Sequence, residues 1–263
     1  MARIAVGIEY DGSAYCGWQA QPALASVQAV AEEALSRIAA APVALVCAGR
    51  TDAGVHALGQ VAHFDTEATR PMRSWVLGAN SELPADVSVC WALPVPQHFH
   101  ARFSAEARTY RYLILNRTAR SALHARRAAW VHRPLDAERM NAAARLLEGE
   151  HDFSAFRAAE CQAKSPIRRL QRLSVERQGE WIRIEATANA FLHHMVRNLA
   201  GLLIAIGRGD AEPTWAAELL ATRDRTQGAA TAPAAGLYFV AVRYPAAFGV
   251  PAAAAGAPPP DRL

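Results

Sequence analysis

One short segment, residues 48–57, combines a carboxylate with the small residues that a binding loop needs. Asp52 follows Thr51, and Gly49 and Gly54 lie on either side of the pair. Glycine lets a backbone turn tightly and approach a ligand closely, and loops between strands often carry functional groups. Thr51 and Asp52 can also cap backbone N–H groups, so a purely structural turn explains the same residues. The residue types alone leave both interpretations of Asp52 open.

A second candidate group is Arg197, near the start of a helix predicted over residues 193–206. Beyond Asn198 this helix is apolar nearly all round, which is typical of a buried helix. A buried guanidinium needs an acidic partner, because removing one partner of a buried ion pair costs roughly 3–5 kcal/mol. Asp52 is a candidate for that partner, since its loop could reach across from another domain.

Other kinds of chemistry lack a supporting pattern in the sequence. Four histidines match no metal-ligand spacing, namely His56, His63, His193 and His194. No P-loop and no G-x-G-x-x-G pattern occurs, so a nucleotide cofactor is not expected. The four cysteines form no C-x-x-C pair, which favours reduced thiols in a cytosolic protein. We therefore expect no metal and no cofactor.

Positive charge is clustered along the chain, although the formal net charge is only +4. Eight arginines and one acid, Glu106, occur within residues 102–133, and five bases accompany one acid, Glu176, within residues 164–177. A clustered basic surface is typical of a protein that binds a polyanion, and arginine suits bidentate phosphate contacts. A GC-rich genome explains the preference for arginine over lysine equally well.

The loop with Asp52 must be held by the N-terminal half of the chain. Strands are predicted at residues 4–10, 43–47, 61–64 and 87–93. Ser26 is placed to cap a helix whose apolar residues recur at helical spacing, and Pro71 opens a second helix that runs to residue 83.

The second half repeats this plan loosely. Strands are predicted at residues 110–115, 170–177, 181–187 and 237–243, and helices after Asp136, at 193–206 and at 213–221. We predict an α/β (α+β) fold with two α/β domains and mainly antiparallel sheets, which can face RNA on one side. The domains are residues 1–105 and 106–245, and the Ala/Pro-rich residues 246–263 predict a disordered tail.

Length and hydropathy agree with this division. A chain of 263 residues suits two domains of about 100–150 residues each. No apolar run approaches the roughly 20 residues that a membrane span needs. The first residues reach Glu9 and Asp11 too soon for a signal peptide. We expect a soluble, cytoplasmic protein.

Seven stretches of the chain together resemble the tRNA pseudouridine synthase A family. They are residues 48–57, 11–12 with 15–19, 99–105, 110–112, 151–153 with 156–157, 191–198 and 236–238. They fall in order over residues 3–245, so the resemblance covers nearly the whole chain outside the tail. One departure, Gly228 in a stretch that is usually Ala-rich, coincides with no candidate residue.

The resemblance implies the pseudouridine synthase fold, with two α/β domains around a basic cleft, in a homodimer without a cofactor. The implied reaction converts uridine to pseudouridine at positions 38, 39 and 40 in the anticodon arm of tRNAs. By the same resemblance Asp52 is the nucleophile, Arg197 is its partner, and Tyr110 stacks on the target base. Arg50 helps to extrude that base, and further substrate contacts are expected from Arg102, Arg111 and His193.

Two other classes of protein remain compatible with the residues. A non-catalytic RNA-binding module can also be a basic α/β domain with tyrosines on its sheet. Such a module gains nothing from a carboxylate that faces RNA, so Asp52 argues against it. A metal-dependent nuclease is the second class, and a chelator would stop its reaction. From its residue type alone, Tyr110 could also be a core residue of an ordinary strand.

Overall fold

The computed structural model describes residues 1–251, which form a mixed α/β structure with ten strands and five α-helices. The strands are β1 (Ala2–Tyr10), β2 (Val46–Cys47), β3 (His56–Thr66), β4 (Val87–Val95), β5 (Ala107–Asn116), β6 (Ala129–Val131), β7 (Gly149–Asp152), β8 (Ile167–Gln178), β9 (Trp181–Ala188) and β10 (Leu237–Arg243). The helices are α1 (Val27–Ala39), α2 (Met72–Glu82), α3 (Ala137–Arg145), α4 (Met195–Gly207) and α5 (Trp215–Thr222). The predicted fold class and its mainly antiparallel strand pairing are confirmed.

The described chain divides into two compact units. The first comprises Met1–Glu106 and the residues from Tyr238 onward, and the second comprises Ala107–Leu237. The predicted domain boundaries, 1–105 and 106–245, stay a prediction. The first unit differs from the predicted N-terminal domain because it also contains nearly all of β10, which pairs with β3 through Tyr238 and Phe239.

The sheet of the first unit is built on β1, which lies between β4 and β3 and pairs antiparallel with both. The other edge of β3 has two partners. At His56 and Ala57 it pairs parallel with β10, and at Ala62 and His63 it pairs antiparallel with β2. The eight residues between β2 and β3, residues 48–55, therefore form a loop beside the edge of β3 that pairs with β2 and β10.

Two helices cover this sheet. α1 packs against α2, and α2 packs against β4. The predicted cap at Ser26 is confirmed, because its hydroxyl accepts a hydrogen bond from the backbone N–H of Ala29 at 3.4 Å. Large buried side chains fill the space beneath them, including Phe64 and Trp75, whose rings lie 5.2 Å apart.

The second unit has the strand order β5-β9-β8-β7, antiparallel throughout, with the short strand β6 parallel to β5. Its helix α3 packs against β8 and α4. Asp136 caps α3 as predicted, since its carboxylate accepts hydrogen bonds from the N–H groups of Glu138 and Arg139. Every residue of α4 from Asn198 to Gly207 is buried, as the apolar sequence indicated.

The structure differs from the predicted elements at a few places. β3 begins at His56 rather than at residue 61. The polar residue Gln60 belongs to the strand because its side chain is buried and donates a hydrogen bond to the Gly49 carbonyl at 2.6 Å. β6 and β7 were not predicted, since three or four residues are too few to show an alternating pattern. α4 begins at Met195 instead of residue 193.

The predicted disordered tail, residues 246–263, is ordered at its start. Ala246–Phe248 form a 3-10 turn, and the Phe248 ring lies 5.1 Å from that of Phe99 and 5.4 Å from that of His98. The start of the tail is ordered because Phe248, an aromatic residue in an Ala/Pro-rich stretch, packs against Phe99. Residues 252–263 lie outside the described part of the chain. Across residues 1–251, no helix is both long enough and apolar enough to cross a membrane.

Candidate active site

Asp52 lies in the loop that joins β2 to β3, and its side chain is partly exposed. The loop is a tight turn at this point, because the Asp52 carbonyl accepts a hydrogen bond from the N–H of Val55 at 3.1 Å. Gly54 has a φ of 75°, within the left-handed region that favours glycine. The predicted tight turn around Asp52 is therefore confirmed, and a backbone hydrogen bond between Val55 and Asp52 closes it.

The segment that follows β1 supports this loop along its length. The N–H of Trp18 donates to the Thr51 carbonyl at 3.0 Å, and the N–H of Gly54 donates to the Tyr15 carbonyl at 3.2 Å. Gly12 comes so close to the loop that a Cβ atom there would lie 1.9 Å from the Val55 carbonyl oxygen. The motif at residues 11–19 thus has a structural role, which is to hold the Asp52 loop.

Buried polar side chains fix the loop from below. The Tyr10 hydroxyl and the Thr51 hydroxyl share a buried hydrogen bond of 2.7 Å. Burial raises the pKa of Tyr10, so the phenol keeps its proton at neutral pH. His56, at the end of the loop, is 2% exposed, and its Nδ1 accepts a hydrogen bond from the N–H of Gly12 at 3.1 Å. The main chain on both sides of Asp52 is therefore anchored in the core.

Two predicted substrate-binding arginines are exposed on the first unit. Arg50 belongs to the same loop as Asp52, and Arg102 lies on a turn after β4. Burial raises the pKa of the Cys47 thiol to about 11, and the charges of Arg50 and Arg102 both oppose that rise.

In the second unit, Tyr110 lies on β5 and is only 9% exposed. Its ring meets the ring of Phe191 edge-on at a centroid distance of 5.0 Å. The neighbouring Arg111 pairs across the strands with Glu185, and their charged atoms are 3.2 Å apart. Arg111 therefore has a structural partner, whatever it contributes to substrate binding.

Arg197 lies in the first turn of α4 and is partly buried. Its Nε donates a hydrogen bond to the Ala232 carbonyl at 2.9 Å, while its own carbonyl accepts one from the Ala232 N–H at 3.1 Å. The sequence predicted an acidic partner for this guanidinium. Within the second unit the structure shows a backbone carbonyl holding it, so part of the hydrogen-bonding requirement is met without an acid.

A polar network continues from Arg197 through the next residue, Asn198. The side-chain oxygen of Asn198, Oδ1, accepts hydrogen bonds from the Thr231 hydroxyl at 2.6 Å and from the Arg225 guanidinium at 3.1 Å, and its Nδ2 donates to the Phe156 carbonyl at 2.8 Å. Arg225 and Thr231 also bond to each other at 3.0 Å. These contacts tie the 225–236 segment to α4. Sequence reasoning missed them, although a buried asparagine in an apolar helix implies such partners.

The same segment continues past Ala232 to the core of β5. The Tyr112 hydroxyl, which is fully buried, donates a hydrogen bond to the Pro233 carbonyl at 2.8 Å. Burial raises the pKa of Tyr112, and the positive charge of Arg197 opposes the rise. Gly201 allows the Ala230 carbonyl to approach α4, since a Cβ there would lie 2.0 Å from that oxygen.

His193, predicted to contact substrate, lies just before α4 and is partly exposed. Its backbone is fixed, because its N–H donates to the Cys161 sulfur at 3.4 Å and its carbonyl accepts from the Ala158 N–H. The next residue, His194, has a φ of 59°, an uncommon conformation for a residue with a side chain. The two imidazole rings lie 4.1 Å apart.

The clustered arginines are only partly available to a polyanion. Arg117 pairs with Glu180 at 3.2 Å, and Arg133 pairs with Asp210 at 3.4 Å. The exposed members of the two sequence clusters include Arg102, Arg120, Arg126, Arg127, Arg169 and Arg172. Local ion pairs thus reduce the positive charge that the sequence alone suggested.

Comparison with known proteins identifies close relatives. A sequence profile described as tRNA pseudouridine synthase matches residues 7–104 and 143–245. A protein named tRNA pseudouridine synthase A from Methylococcus capsulatus is 59% identical over 248 residues, which are 94% of this chain and 92% of the relative. Proteins of the same name from Hydrogenovibrio crunogenus and Pseudomonas aeruginosa are 56% and 54% identical, over 95% of this chain and 96% and 88% of their own lengths.

Proposed function

We propose a substrate and a mechanism for this chain from one premise, which is that it belongs to the tRNA pseudouridine synthase family and isomerises uridine in tRNA. The proposed targets are the uridines at positions 38, 39 and 40 of the anticodon arm. This choice is supported by the sequence resemblance and by the name that the relatives share, tRNA pseudouridine synthase A. The proposed assembly is a cytoplasmic homodimer, and it rests on the same resemblance.

Asp52 is the proposed nucleophile, and the anchoring of its loop is the observation that carries this proposal. A partly exposed carboxylate on a loop fixed by buried Tyr10, Thr51 and His56 is pre-organised, as a catalytic group must be. An ordinary surface turn has no need of such support. The carboxylate either adds to the uracil ring or attacks the ribose C1′.

The reaction balances without another molecule, because uridine and pseudouridine are isomers. The bond between C1′ and N1 breaks, the uracil turns, and a new bond forms between C1′ and C5. The C5 proton leaves to solvent and N1 gains a proton. No electrons are exchanged with an outside group, so we propose a mechanism that needs no cofactor.

Arg197 is the proposed partner of Asp52. A guanidinium next to a carboxylate favours its ionised, nucleophilic form and orients it. The support lies in the way Arg197 is held, since its Nε is fixed on the Ala232 carbonyl and its orientation is defined. A freely rotating surface arginine could not orient another group as well.

Tyr110 is the proposed ring against which the extruded base stacks. Taking a base out of its stack costs a few kcal/mol, and an aromatic ring recovers part of that. The 9% exposure of Tyr110 and its edge contact with Phe191 fit a packing role as well. Arg50 is proposed to help extrude the base, and Arg102, Arg111 and His193 to contact the RNA.

Release of tritium from tRNA labelled at uridine C5 tests the reaction directly. The protein should release tritium to water, and Asp52→Asn should abolish release while tRNA affinity stays within a few-fold. The amide is nearly isosteric with the carboxylate but is a poor nucleophile. A passive RNA-binding module would bind tRNA and release nothing. A metal-dependent nuclease would cleave the RNA and stop when a chelator is added.

A further inference from the structure

The turn at residues 99–104, which follows β4, places a large apolar side chain in solvent. Phe103 is 75% exposed, although its neighbours Phe99 and Ala101 are fully buried. Single exposed apolar residues are common and need no explanation by themselves. Phe103 is different because of how its turn is built and what surrounds its ring.

Hydrogen bonds within the turn fix the backbone of Phe103. The Nδ1 atom of His100 accepts from the N–H groups of both Arg102 and Phe103, at 3.1 and 3.2 Å. The Ser104 hydroxyl accepts from the His100 N–H, and the Ser104 N–H donates to the His100 carbonyl, both at 2.9 Å. Burial and then the charge of Arg3 lower the pKa of His100, which favours the neutral ring, and the two N–H groups that face Nδ1 select the tautomer in which this atom accepts.

The turn is also attached to the sheet beneath it. The N–H of Ala101 donates to Nδ1 of His63 on β3 at 3.2 Å, and the Ala101 carbonyl accepts from the Tyr244 hydroxyl at 2.6 Å. Arg3 on β1 donates to the Phe99 carbonyl at 2.8 Å. Two strands, β1 and β3, and the residue that follows β10 therefore hold the turn, so the exposure of Phe103 is a fixed property of the fold.

The surroundings of the ring are those of a nucleobase contact. The His100 ring lies 4.3 Å from the Phe103 ring, and the Arg102 guanidinium carbon lies 5.5 Å from its centroid. An exposed aromatic ring next to an exposed cation suits a base with its phosphate, because the ring stacks and the cation neutralises charge. The turn lies near the start of the Asp52 loop, because Ala101 bonds to His63 and His63 pairs with Val46 on β2.

We propose that Phe103 and Arg102 form a stacking site for an unpaired base of the RNA substrate, separate from the uridine that reacts. This site rests on the proposed function, since it takes tRNA as the ligand. Phe103 supplies the face for the base, and Arg102 supplies the contact to the neighbouring phosphate. The occupant is a loop nucleotide, because paired bases present no free face.

The test measures binding of the full-length protein to an anticodon stem-loop RNA over a range of salt concentrations. Phe103→Leu should weaken binding about 5- to 150-fold, the loss expected for one stacked base, and leave the salt dependence unchanged. Arg102→Gln should lower the slope of log affinity against log salt by about one. Phe103→Trp keeps an aromatic face and should bind like the parent.

Leu77→Ala is the matched control, since Leu77 is another exposed apolar residue of the first unit, 52% exposed on α2. It should change neither affinity nor salt dependence. RNAs that carry one abasic nucleotide at successive loop positions identify the stacked base. At that position the abasic RNA should bind more weakly to the parent, and the penalty should vanish with Phe103→Leu.

Parent-like binding by Phe103→Leu, or an abasic penalty that is the same in every variant, would overturn the stacking site. So would a loss of affinity that accompanies a lower melting temperature or a smaller mass in light scattering, because Phe103 would then support the fold or a contact between copies. Tritium release is scored separately. A parent that binds but releases none contradicts the proposed function, while the binding comparison still decides the stacking site.

Discussion

The Asp52 loop and the start of α4 each hold a candidate catalytic side chain, but they hold it in different ways. Around Asp52 the backbone is fixed, through the contacts of Thr51, Gly54 and Val55 with the segment after β1. At Arg197 the side chain itself is fixed, by its bond to the Ala232 carbonyl. Both regions use glycine for a close approach, Gly12 and Gly17 in the first and Gly201 in the second.

The difference indicates how each region should respond to substitution. Close contacts between two stretches of backbone leave no room for an added atom, so changes in the first region should be all-or-none. Side-chain hydrogen bonds contribute about 0.5–1.5 kcal/mol each, or about 1.5–3 kcal/mol when one partner is charged. Changes in the second region should therefore be graded, and conservative variants should rescue them.

Gly12→Ala should have the largest effect on stability. The added methyl group would lie 1.9 Å from the Val55 carbonyl oxygen. Both segments in contact are backbone, which cannot easily move aside. We expect a loss of about 3 kcal/mol or more in the free energy of unfolding, measured by denaturant titration. Gly179→Ala is the control, because nothing lies within 4 Å and only its φ of 59° is unfavourable, which costs about 1–2 kcal/mol. Equal losses in the two variants would contradict the comparison.

Arg197→Met should come next, with a loss of about 2 kcal/mol in stability and a clear fall in the rate of tritium release. The variant loses the charged hydrogen bond to Ala232 and the positive charge proposed to orient Asp52. Arg197→Lys restores the charge but not the planar Nε donor, so it should recover rate more than stability. If Arg197→Met melts and turns over like the parent, Arg197 has neither role.

Two variants of Tyr110 separate stacking from packing. If the ring stacks on the base, Tyr110→Phe should bind tRNA normally and Tyr110→Leu should lose about 1–3 kcal/mol of binding energy. If the hydroxyl also takes up the C5 proton, Tyr110→Phe should slow a late step by about 10²–10⁴-fold. Single-turnover rates, tRNA affinity and melting temperature are measured for both. A Tyr110→Leu variant that melts normally and is fully active would remove Tyr110 from the site.

Thr231→Val should have the smallest effect. Its hydroxyl bonds to Asn198 at 2.6 Å and to Arg225 at 3.0 Å, and the isosteric valine removes both bonds. We expect a loss of about 1 kcal/mol in stability and a lower kcat at unchanged KM, because the segment that holds Arg197 becomes looser. Thr231→Ser keeps the hydroxyl and should restore kcat. If kcat falls in these variants only in proportion to the loss of melting temperature, Thr231 has a structural role alone.

Local signals in the sequence predicted many of the helices and strands of both units. The caps at Ser26 and Asp136, the buried α4 and the bounds of β10 all depend on residues close together in the chain. The turn at Asp52 was predicted for the same reason. Its anchoring was not, because Tyr10 and Gly12 lie far from Thr51 and Val55 in sequence.

The partner of Arg197 illustrates a second limit. Burial of the helix suggested that the guanidinium needs an acid, but a carbonyl of the 225–236 segment also meets part of the need. Backbone carbonyls occur at every residue and leave no mark in a sequence. The ion pairs of Arg111, Arg117 and Arg133 could not be predicted from the sequence either, because their acidic partners are on other strands or loops.

The pairing of β10 with β3 has a consequence for how the protein is made. Translation delivers the first unit up to Glu106, then all of the second unit, and only afterwards the strand that pairs with residues 56 and 57. On the ribosome that part of the β3 edge therefore waits without its partner while more than a hundred residues emerge, which is the period when an exposed strand is most prone to misassembly. A premature stop just before residue 238 would remove β10 and so damage the first part of the chain to be synthesised as well as the last.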